Sequence, residues 1–240
     1  MLPLARMWAE AFMIENSGVS VYVDGGGTAT GAAALAQGKV DFCMASRPLR
    51  PGEAQLVAKR FNTVGIAILV AKDALSIYVN PENPVHSLSM DQLERIYTGE
   101  LQNWKQVGGT DIPILLLHRM PNSGTFLYFK EHVLHGQPYS QNGKQLPTNN
   151  AVMQTVSENV NAIGYGGAGY ATNVFHCQIN GVSPSAENVA TDSYPITRYL
   201  YLYTVRTPRG VLKKFVDWVL SETGQAIVKN AGYFPIWEKE

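Results

Sequence analysis

Short apolar runs alternate along this chain with segments that have helical spacing or helix-capping residues, and this alternation limits the possible folds more than any other feature. Strands separated by helices favour a mostly parallel sheet covered by helices, which predicts an α/β fold. The predicted strands are residues 19–23, 40–46, 64–71, 74–80, 112–119, 162–167 and 196–205. The predicted helices lie within residues 1–18, 29–38, 51–60, 87–101, 126–136, 149–159 and 210–232, with loops at 136–148 and 179–195.

Two of the predicted helices begin in loops of similar composition. The first loop is Gly-Gly-Gly-Thr-Ala-Thr-Gly at residues 25–31, and the second ends in Ser-Gly-Thr at residues 123–125. The first amides of a helix lack backbone partners and carry a partial positive charge. Glycine lets a ligand approach these amides, and hydroxyl groups add donors, so both loops fit an oxyanion. Serine, threonine and glycine are also ordinary helix-capping residues, and the pattern alone leaves that alternative open.

Arginines lie close to both loops in the sequence. Arg119 stands four residues before Ser123 and offers a planar set of donors that matches phosphate or carboxylate. Ser46 and Arg47 follow the strand predicted at 40–46, at the end of the strand where open α/β sheets bind ligands. A surface charge is an equally good interpretation of Arg47 from its position alone.

The composition excludes several classes of function. Nineteen basic residues balance 19 acidic residues, so binding to nucleic acid or anionic lipid through bulk charge is not expected. No set of side chains has metal-ligand spacing, and the sequence predicts no cofactor and no metal ion. The two cysteines are too few for a disulfide framework; Cys43 is predicted to be a buried thiol, and a bridge to Cys177 stays open.

A glycine pattern raises a further alternative, a dinucleotide site. Gly164, Gly166 and Gly169 have the spacing G-x-G-x-x-G after a predicted strand. Such a site needs a helix that starts in this loop, and the residues from 170 onward form a poor helix. The sequence therefore does not favour nucleotide binding.

Several segments of the chain together resemble a protein family. The segment "GGGTATGAAALAQGKVDFCMASRPL" is similar to the glycine-rich segment of PstS-type phosphate-binding proteins of ABC transporters. The run "NPENPVHSLSMDQLERIYTGELQNWKQVGG", the arginine followed by "NSGT", and the segments "NAIGYGGAGYA" and "FVDWVLSETGQAIVKNAGYFPI" match that family in the same order. The resemblance covers nearly the whole chain.

The resemblance implies a type II periplasmic binding protein fold, in which two α/β lobes are joined by two crossing strands with a ligand cleft between them. Lobe one would comprise residues 1–74 and 200–240, and lobe two residues 75–199. The crossings would fall near Ala71–Asn80 and Tyr194–Thr204. Family members start with a strand and a "GS.T" loop, which come before the segment that matches the first residues of this chain. Lobe one is therefore expected to lack that strand and that loop.

The resemblance also implies the ligand, the partners and the location. The phosphate contacts would be Thr28, Thr30, Ser46, Arg47, Arg119, Ser123, Gly124 and Thr125. The protein would act as a monomer without catalysis, bind inorganic phosphate, and deliver it to membrane permease subunits. It would be periplasmic or extracellular, with or without a lipid anchor. The alternatives are a receptor for another oxyanion such as sulfate, a sensor unconnected to transport, and a phosphatase, although the sequence offers neither a metal cluster nor an activated nucleophile.

Selectivity between phosphate and sulfate depends on a proton, because bound phosphate carries one. A carboxylate acceptor would favour phosphate. Asp24 is the nearest candidate by sequence, with a surface or capping role as the alternative.

Overall fold

The computed structural model describes residues 1–121, 123–169 and 173–237. The strands are β1 (Cys43–Ala45), β2 (Ile66–Val79), β3 (Ser87–Leu88), β4 (Leu115–Arg119), β5 (Lys144–Leu146), β6 (Ala162–Gly167), β7 (Phe175–Ile179) and β8 (Thr197–Thr204). The helices are α1 (Leu2–Glu15), α2 (Thr28–Ala36), α3 (Pro51–Phe61), α4 (Met90–Thr98), α5 (Gly124–His132), α6 (Asn149–Glu158), α7 (Ala186–Ala190), α8 (Gly210–Val219) and α9 (Glu222–Asn230), with a 3-10 turn at Trp104–Val107.

The chain divides into two compact units. Unit 1 is Met1–Lys72 with Arg198–Glu240, and unit 2 is Asp73–Thr197. Both divisions lie inside strands, the first in β2 and the second in β8. The lobes predicted from the sequence end two residues later at each point, after residues 74 and 199.

The core of unit 1 includes the helix predicted within residues 1–18, which the structure confirms as α1. Its residues Leu4, Trp8 and Phe12 are buried, and the Trp8 indole N–H donates to the Gly224 carbonyl at 2.9 Å. A second cluster packs α2 and α3 over β1, which pairs antiparallel with β8. Cys43 of β1 belongs to this cluster, together with Ala32 and Leu35 of α2.

The predicted strand at residues 19–23 is wrong. No helix or strand includes these residues, and the Tyr22 side chain is 92% exposed. The Val21 amide donates to the Met13 sulfur at 3.3 Å and has no partner in a strand. Alternating apolar residues favour an extended chain, but a strand also needs a neighbouring strand with which to pair.

The sheet of unit 2 is mixed, whereas the sequence predicts a mostly parallel one. Strand β4 lies between β5 and β6 and is parallel to both. Strand β2 runs antiparallel to β6 and to β7, and β3 pairs parallel with β7. The parallel pair β4 and β6 is joined through α5 and α6, as parallel pairing requires a long crossover.

The sequence predicts two strands, 64–71 and 74–80, where the structure has the single strand β2. Lys72 and Asp73 interrupt the apolar pattern, but they are 8% and 3% exposed and continue the strand. Lys72 exchanges backbone hydrogen bonds with Phe234, at 2.8 Å and 2.9 Å, and these bonds keep the strand paired at this polar residue. Polarity alone therefore does not mark a strand end.

Three further predictions need correction. The predicted loop 136–148 contains β5, and the predicted loop 179–195 contains α7. The helical pattern at 210–232 is two helices, because Ser221 starts α9 by accepting a hydrogen bond from the Gly224 amide. Both loop segments are rich in polar residues, and short polar elements resemble loops by composition.

The sequence within 87–101 predicts both ends of α4, because Ser89 and Gln92 fit a capping box and Gly99 fits a left-handed stop, and the structure confirms both. The Ser89 hydroxyl accepts a hydrogen bond from the Gln92 amide at 3.0 Å, and the Gln92 side chain accepts one from the Ser89 amide at 2.9 Å. Gly99 ends the helix with φ of 88°, a conformation that glycine adopts without strain. Among the described helices, none combines the length and the apolar composition that spanning a bilayer requires.

Candidate anion-binding site

The start of α5, with the residue that ends β4, forms the candidate site of unit 2. We call Arg119, Ser123, Gly124 and Thr125 the α5 site. Ser123 caps the helix, and its hydroxyl oxygen accepts a hydrogen bond from the Thr125 amide at 3.2 Å. The hydroxyl hydrogen of Ser123 is therefore available to a further acceptor, and so is the Gly124 amide, which begins the helix. Asn122, which the sequence places in the same loop, lies outside the described residues.

Arg119 is held at its guanidinium by neutral groups. One terminal nitrogen, Nη1, donates to the Asn149 side-chain oxygen, and the other, Nη2, donates to the Pro147 carbonyl at 2.9 Å. The Nε–H group is buried and has no hydrogen-bond partner among the described residues. A buried donor without an acceptor lowers the stability of the folded state by about 1–3 kcal/mol. An acceptor on a bound ligand would remove this penalty.

The charge of Arg119 is not compensated by these partners. Burial lowers the pKa of Arg119 from its usual value, but an arginine keeps its proton near neutral pH. An amide oxygen and a carbonyl oxygen carry only partial negative charge. The α5 site therefore combines a full positive charge with the partial positive charge of a helix N-terminus, and both favour an anion.

A cluster of aromatic side chains packs next to the α5 site. The Arg119 amide donates to the Tyr165 hydroxyl at 3.4 Å, and Tyr165 shares a hydrogen bond of 2.9 Å with the Tyr139 hydroxyl. Phe129 of α5 stacks on Tyr165 with ring centroids 4.2 Å apart. Burial raises the pKa of Tyr165, so its hydroxyl stays neutral. This packing fixes the end of β4 against the start of α5.

The candidate site of unit 1 lies at the start of α2, and we call Thr28, Thr30, Ser46 and Arg47 the α2 site. Gly27 precedes the helix with φ of 86°, a value that favours glycine. The Thr28 hydroxyl oxygen accepts a hydrogen bond from the Ser46 amide at 3.2 Å. This bond ties α2 to the end of β1 and leaves the Thr28 hydroxyl hydrogen available.

Thr30 and Arg47 of the α2 site already have partners. The Thr30 hydroxyl donates to the Gly26 carbonyl at 2.9 Å, which uses its only hydrogen. Arg47 forms two hydrogen bonds of 2.8 Å to the Glu53 carboxylate, and these bonds hold the pKa of Glu53 below its usual value. The roles of both residues as phosphate contacts stay predictions, and for Arg47 the ion pair competes with that role. Asp24 is exposed.

Metal binding, thiol chemistry and dinucleotide binding would each need residues outside these two sites. Within residues 1–121, 123–169 and 173–237, no three His, Cys, Asp or Glu side chains are grouped as a metal site would need. Cys43 and Cys177 are buried free thiols, and burial raises the pKa of Cys43 to about 11 and that of Cys177 to about 12. Residues 170–172, where a dinucleotide-binding helix would begin, lie outside the described residues, and residues 175–179 form β7.

Sequence reasoning missed the residues that hold Arg119. Strands β4 and β5 are parallel, with Arg119 opposite Leu146, so the chain that follows β5 passes beside the guanidinium. Pro147 and Asn149 belong to that stretch. The one available signal is the predicted start of a helix at residue 149. Because the segment that contains β5 is predicted as a loop, the sequence does not indicate that Asn149 lies beside Arg119.

The chain is similar to known proteins over most of its length. Residues 1–223 match a family model described as a PBP superfamily domain. The chain is 34% identical over 243 residues to the phosphate-binding protein PstS of Bacillus subtilis strain 168, across 98% of this chain and 78% of that protein. It is similar to a Clostridium perfringens protein solved with bound phosphate, with a TM-score of 0.82, 30% identity, and coverage of 98% of this chain and 96% of that chain. An ABC-type phosphate transport receptor from Vibrio cholerae has a TM-score of 0.85 and 28% identity, with 97% and 95% of the two chains covered.

Two α/β units that are linked through strands are the architecture of the type II periplasmic binding proteins. The similarity to solved structures in that class confirms the predicted fold. The chain belongs to the PBP superfamily and, within it, to the PstS family of phosphate-binding proteins.

Proposed function

We propose that this chain binds inorganic phosphate and delivers it to an ABC transporter. The observation that carries the proposal is Arg119, a charged guanidinium with neutral partners and a buried Nε–H group that lacks an acceptor among the described residues. It is the last residue of β4 and stands four residues before Ser123, which caps the start of α5. The names of the relatives, and the bound phosphate of the Clostridium perfringens protein, support phosphate as the anion.

The proposed contacts come from both units, and each set is argued from its own unit. In the α5 site, Arg119, the Ser123 hydroxyl and the first amides of the helix donate to phosphate. In the α2 site, Thr28 donates through the hydrogen that its bond to Ser46 leaves available. Hydrogen bonds to a charged group contribute about 1.5–3 kcal/mol each, and micromolar affinity needs about 8 kcal/mol. A few such donors are sufficient.

The proposal includes the action of the whole protein. Residues 1–74 with 200–240, and residues 75–199, are proposed to act as two lobes that close on one phosphate, as hinge-type binding proteins do. The membrane permease subunits of the transporter would recognise the closed monomer. The proposed location is the periplasm or the extracellular space, with or without a lipid anchor. Binding without turnover is proposed, since the named relatives are binding proteins.

Calorimetric titration with phosphate and with sulfate tests this function. We expect Arg119→Ala to weaken phosphate binding at least about 100-fold, because two or more charged hydrogen bonds are lost. The matched control is Arg95→Ala, which removes an exposed arginine of the same unit that pairs with Glu100. Circular dichroism verifies that both variants fold.

Three results would count against the proposal. Unchanged phosphate affinity in Arg119→Ala would remove the α5 site from the mechanism. Equal affinities for phosphate and sulfate would leave a general oxyanion receptor. Turnover of p-nitrophenyl phosphate by the wild-type protein would favour a phosphatase.

A further inference from the structure

The position of Arg119 depends on a side chain outside the predicted site. The guanidinium reaches the stretch after β5, where Asn149 is the first residue of α6. The parallel register of β4 and β5, with Arg119 opposite Leu146, makes this contact possible across 30 residues of sequence. The Pro147 carbonyl receives the other terminal nitrogen at 2.9 Å. Both terminal nitrogens are therefore fixed by one short segment.

The partners of Arg119 differ in charge from the partner of Arg47. Arg47 faces a carboxylate, Glu53, at 2.8 Å, and its charge is largely neutralised there. Arg119 faces an amide oxygen and a carbonyl oxygen, which orient the guanidinium without cancelling its charge. A half-buried charge that is not neutralised attracts an anion more strongly than an ion pair does.

The remaining donors of Arg119 identify what this arrangement leaves available. A guanidinium has five N–H donors, and Asn149 and Pro147 engage one on each terminal nitrogen. The Nε–H group is buried without an acceptor among the described residues. These contacts engage two of the five donors and leave Nε–H, together with one N–H on each terminal nitrogen, for another acceptor.

We propose that Asn149 is a positioning residue for anion binding, which orients the Arg119 guanidinium through a neutral acceptor and so preserves its positive charge for the bound phosphate. This inference rests on the proposed function. It states that the side chain at position 149 must be uncharged as well as able to accept a hydrogen bond.

The substitutions Asn149→Asp and Asn149→Ala separate the two requirements. Aspartate keeps the size of asparagine and accepts a stronger hydrogen bond from Arg119, but it neutralises the charge. We expect Asn149→Asp to weaken phosphate binding at neutral pH by more than about tenfold, the effect of losing one charged hydrogen bond. We expect Asn149→Ala to weaken it less, because alanine leaves the arginine charged though less well oriented.

Stability supplies a second readout that a purely structural role would not reproduce. The new ion pair with Arg119 should leave the urea midpoint of Asn149→Asp equal to or above that of the wild-type protein. Affinity would then fall in a variant whose stability does not. If Asn149 served only as an anchor, aspartate would keep both affinity and stability, and alanine would lose both.

The matched control is Asn150→Asp, which adds the same charge one residue later. Asn150 is exposed on α6, and its variant should bind phosphate within about threefold of the wild-type protein, since an exposed charge is well screened. Calorimetry with inorganic phosphate measures all variants. Wild-type affinity in Asn149→Asp, or an equal loss in Asn150→Asp, would overturn the inference.

The Arg119→Ala variant distinguishes failure of this inference from failure of the proposed function. If Arg119→Ala loses phosphate binding and Asn149→Asp keeps it, the requirement for neutrality is wrong and the α5 site stands. If Arg119→Ala itself keeps phosphate binding, the proposed role of the α5 site fails, and the role of Asn149 fails with it.

Discussion

At the scale of single residues, the hydrogen bonds that a group already makes decide what it can still bind. Arg47 and Arg119 are the same residue type, yet the first is paired with Glu53 and the second has neutral partners. The same distinction separates two hydroxyl groups. Thr28 accepts a hydrogen bond and keeps its hydrogen, whereas Thr30 donates its hydrogen to the Gly26 carbonyl.

This difference predicts unequal effects of two matched substitutions. Thr28→Val should weaken phosphate binding about tenfold or more, because a hydrogen bond to a charged ligand is lost. Thr30→Val should change it by less than about threefold, since its hydrogen is already engaged, and calorimetry measures both. A loss in Thr30→Val as large as that in Thr28→Val would contradict the assignment of donors.

At the scale of elements, the same capping interaction occurs at helices with different surroundings. Ser89 and Ser123 both cap helices of unit 2, and each accepts a hydrogen bond from a backbone amide in the first turn. Only Ser123 lies in the loop that follows Arg119. Helix α4 is therefore a control for the cap of α5.

Removing each cap should separate stability from affinity. Ser89→Ala and Ser123→Ala should each lower the free energy of unfolding by about 1 kcal/mol, the usual contribution of a serine cap. Only Ser123→Ala should also weaken phosphate binding, because only its hydroxyl hydrogen is proposed to reach the ligand. Urea unfolding and calorimetry provide the two measurements. If Ser123→Ala kept wild-type affinity, Ser123 would be a cap alone.

At the scale of the whole molecule, the chain passes from unit 1 to unit 2 within continuous strands. Strand β2 stays buried from Val70 to Val79 across the division after Lys72. The α2 site belongs to one unit and the α5 site to the other. A ligand that contacts both sites must therefore affect both units.

Hydrogen exchange tests whether one phosphate acts on both units. We expect phosphate to slow amide exchange in peptides that contain residues 27–31 and residues 123–127, because both helix starts would donate to it. Peptides from α9 should exchange at the same rate with and without phosphate, apart from any general increase in stability. Protection confined to one unit would contradict the proposal that one phosphate contacts both sites.

The sequence predicted the features that depend on neighbours in the chain. The capping residues of α4, the stop at Gly99, the start of α3 at Pro51 and the strand β6 were all identified from a few adjacent residues. The two glycine and hydroxyl loops were located for the same reason, since a helix cap is a local interaction. Residues 19–23 show the limit of such reasoning, because their pattern suits a strand and no strand pairs with them.

The sequence by itself determined the α/β class, most helix ends, the position of the two loops proposed to bind an oxyanion and, through its resemblance to a family, phosphate as the expected ligand. The tertiary structure alone decided that β2 is one strand, that Arg47 pairs with Glu53, and that Arg119 is held by Asn149. The physical reason is the separation along the chain of the residues that interact. Caps and propensities act over a few residues, whereas the charge available at Arg119 depends on the register of two strands and on a side chain 30 residues away.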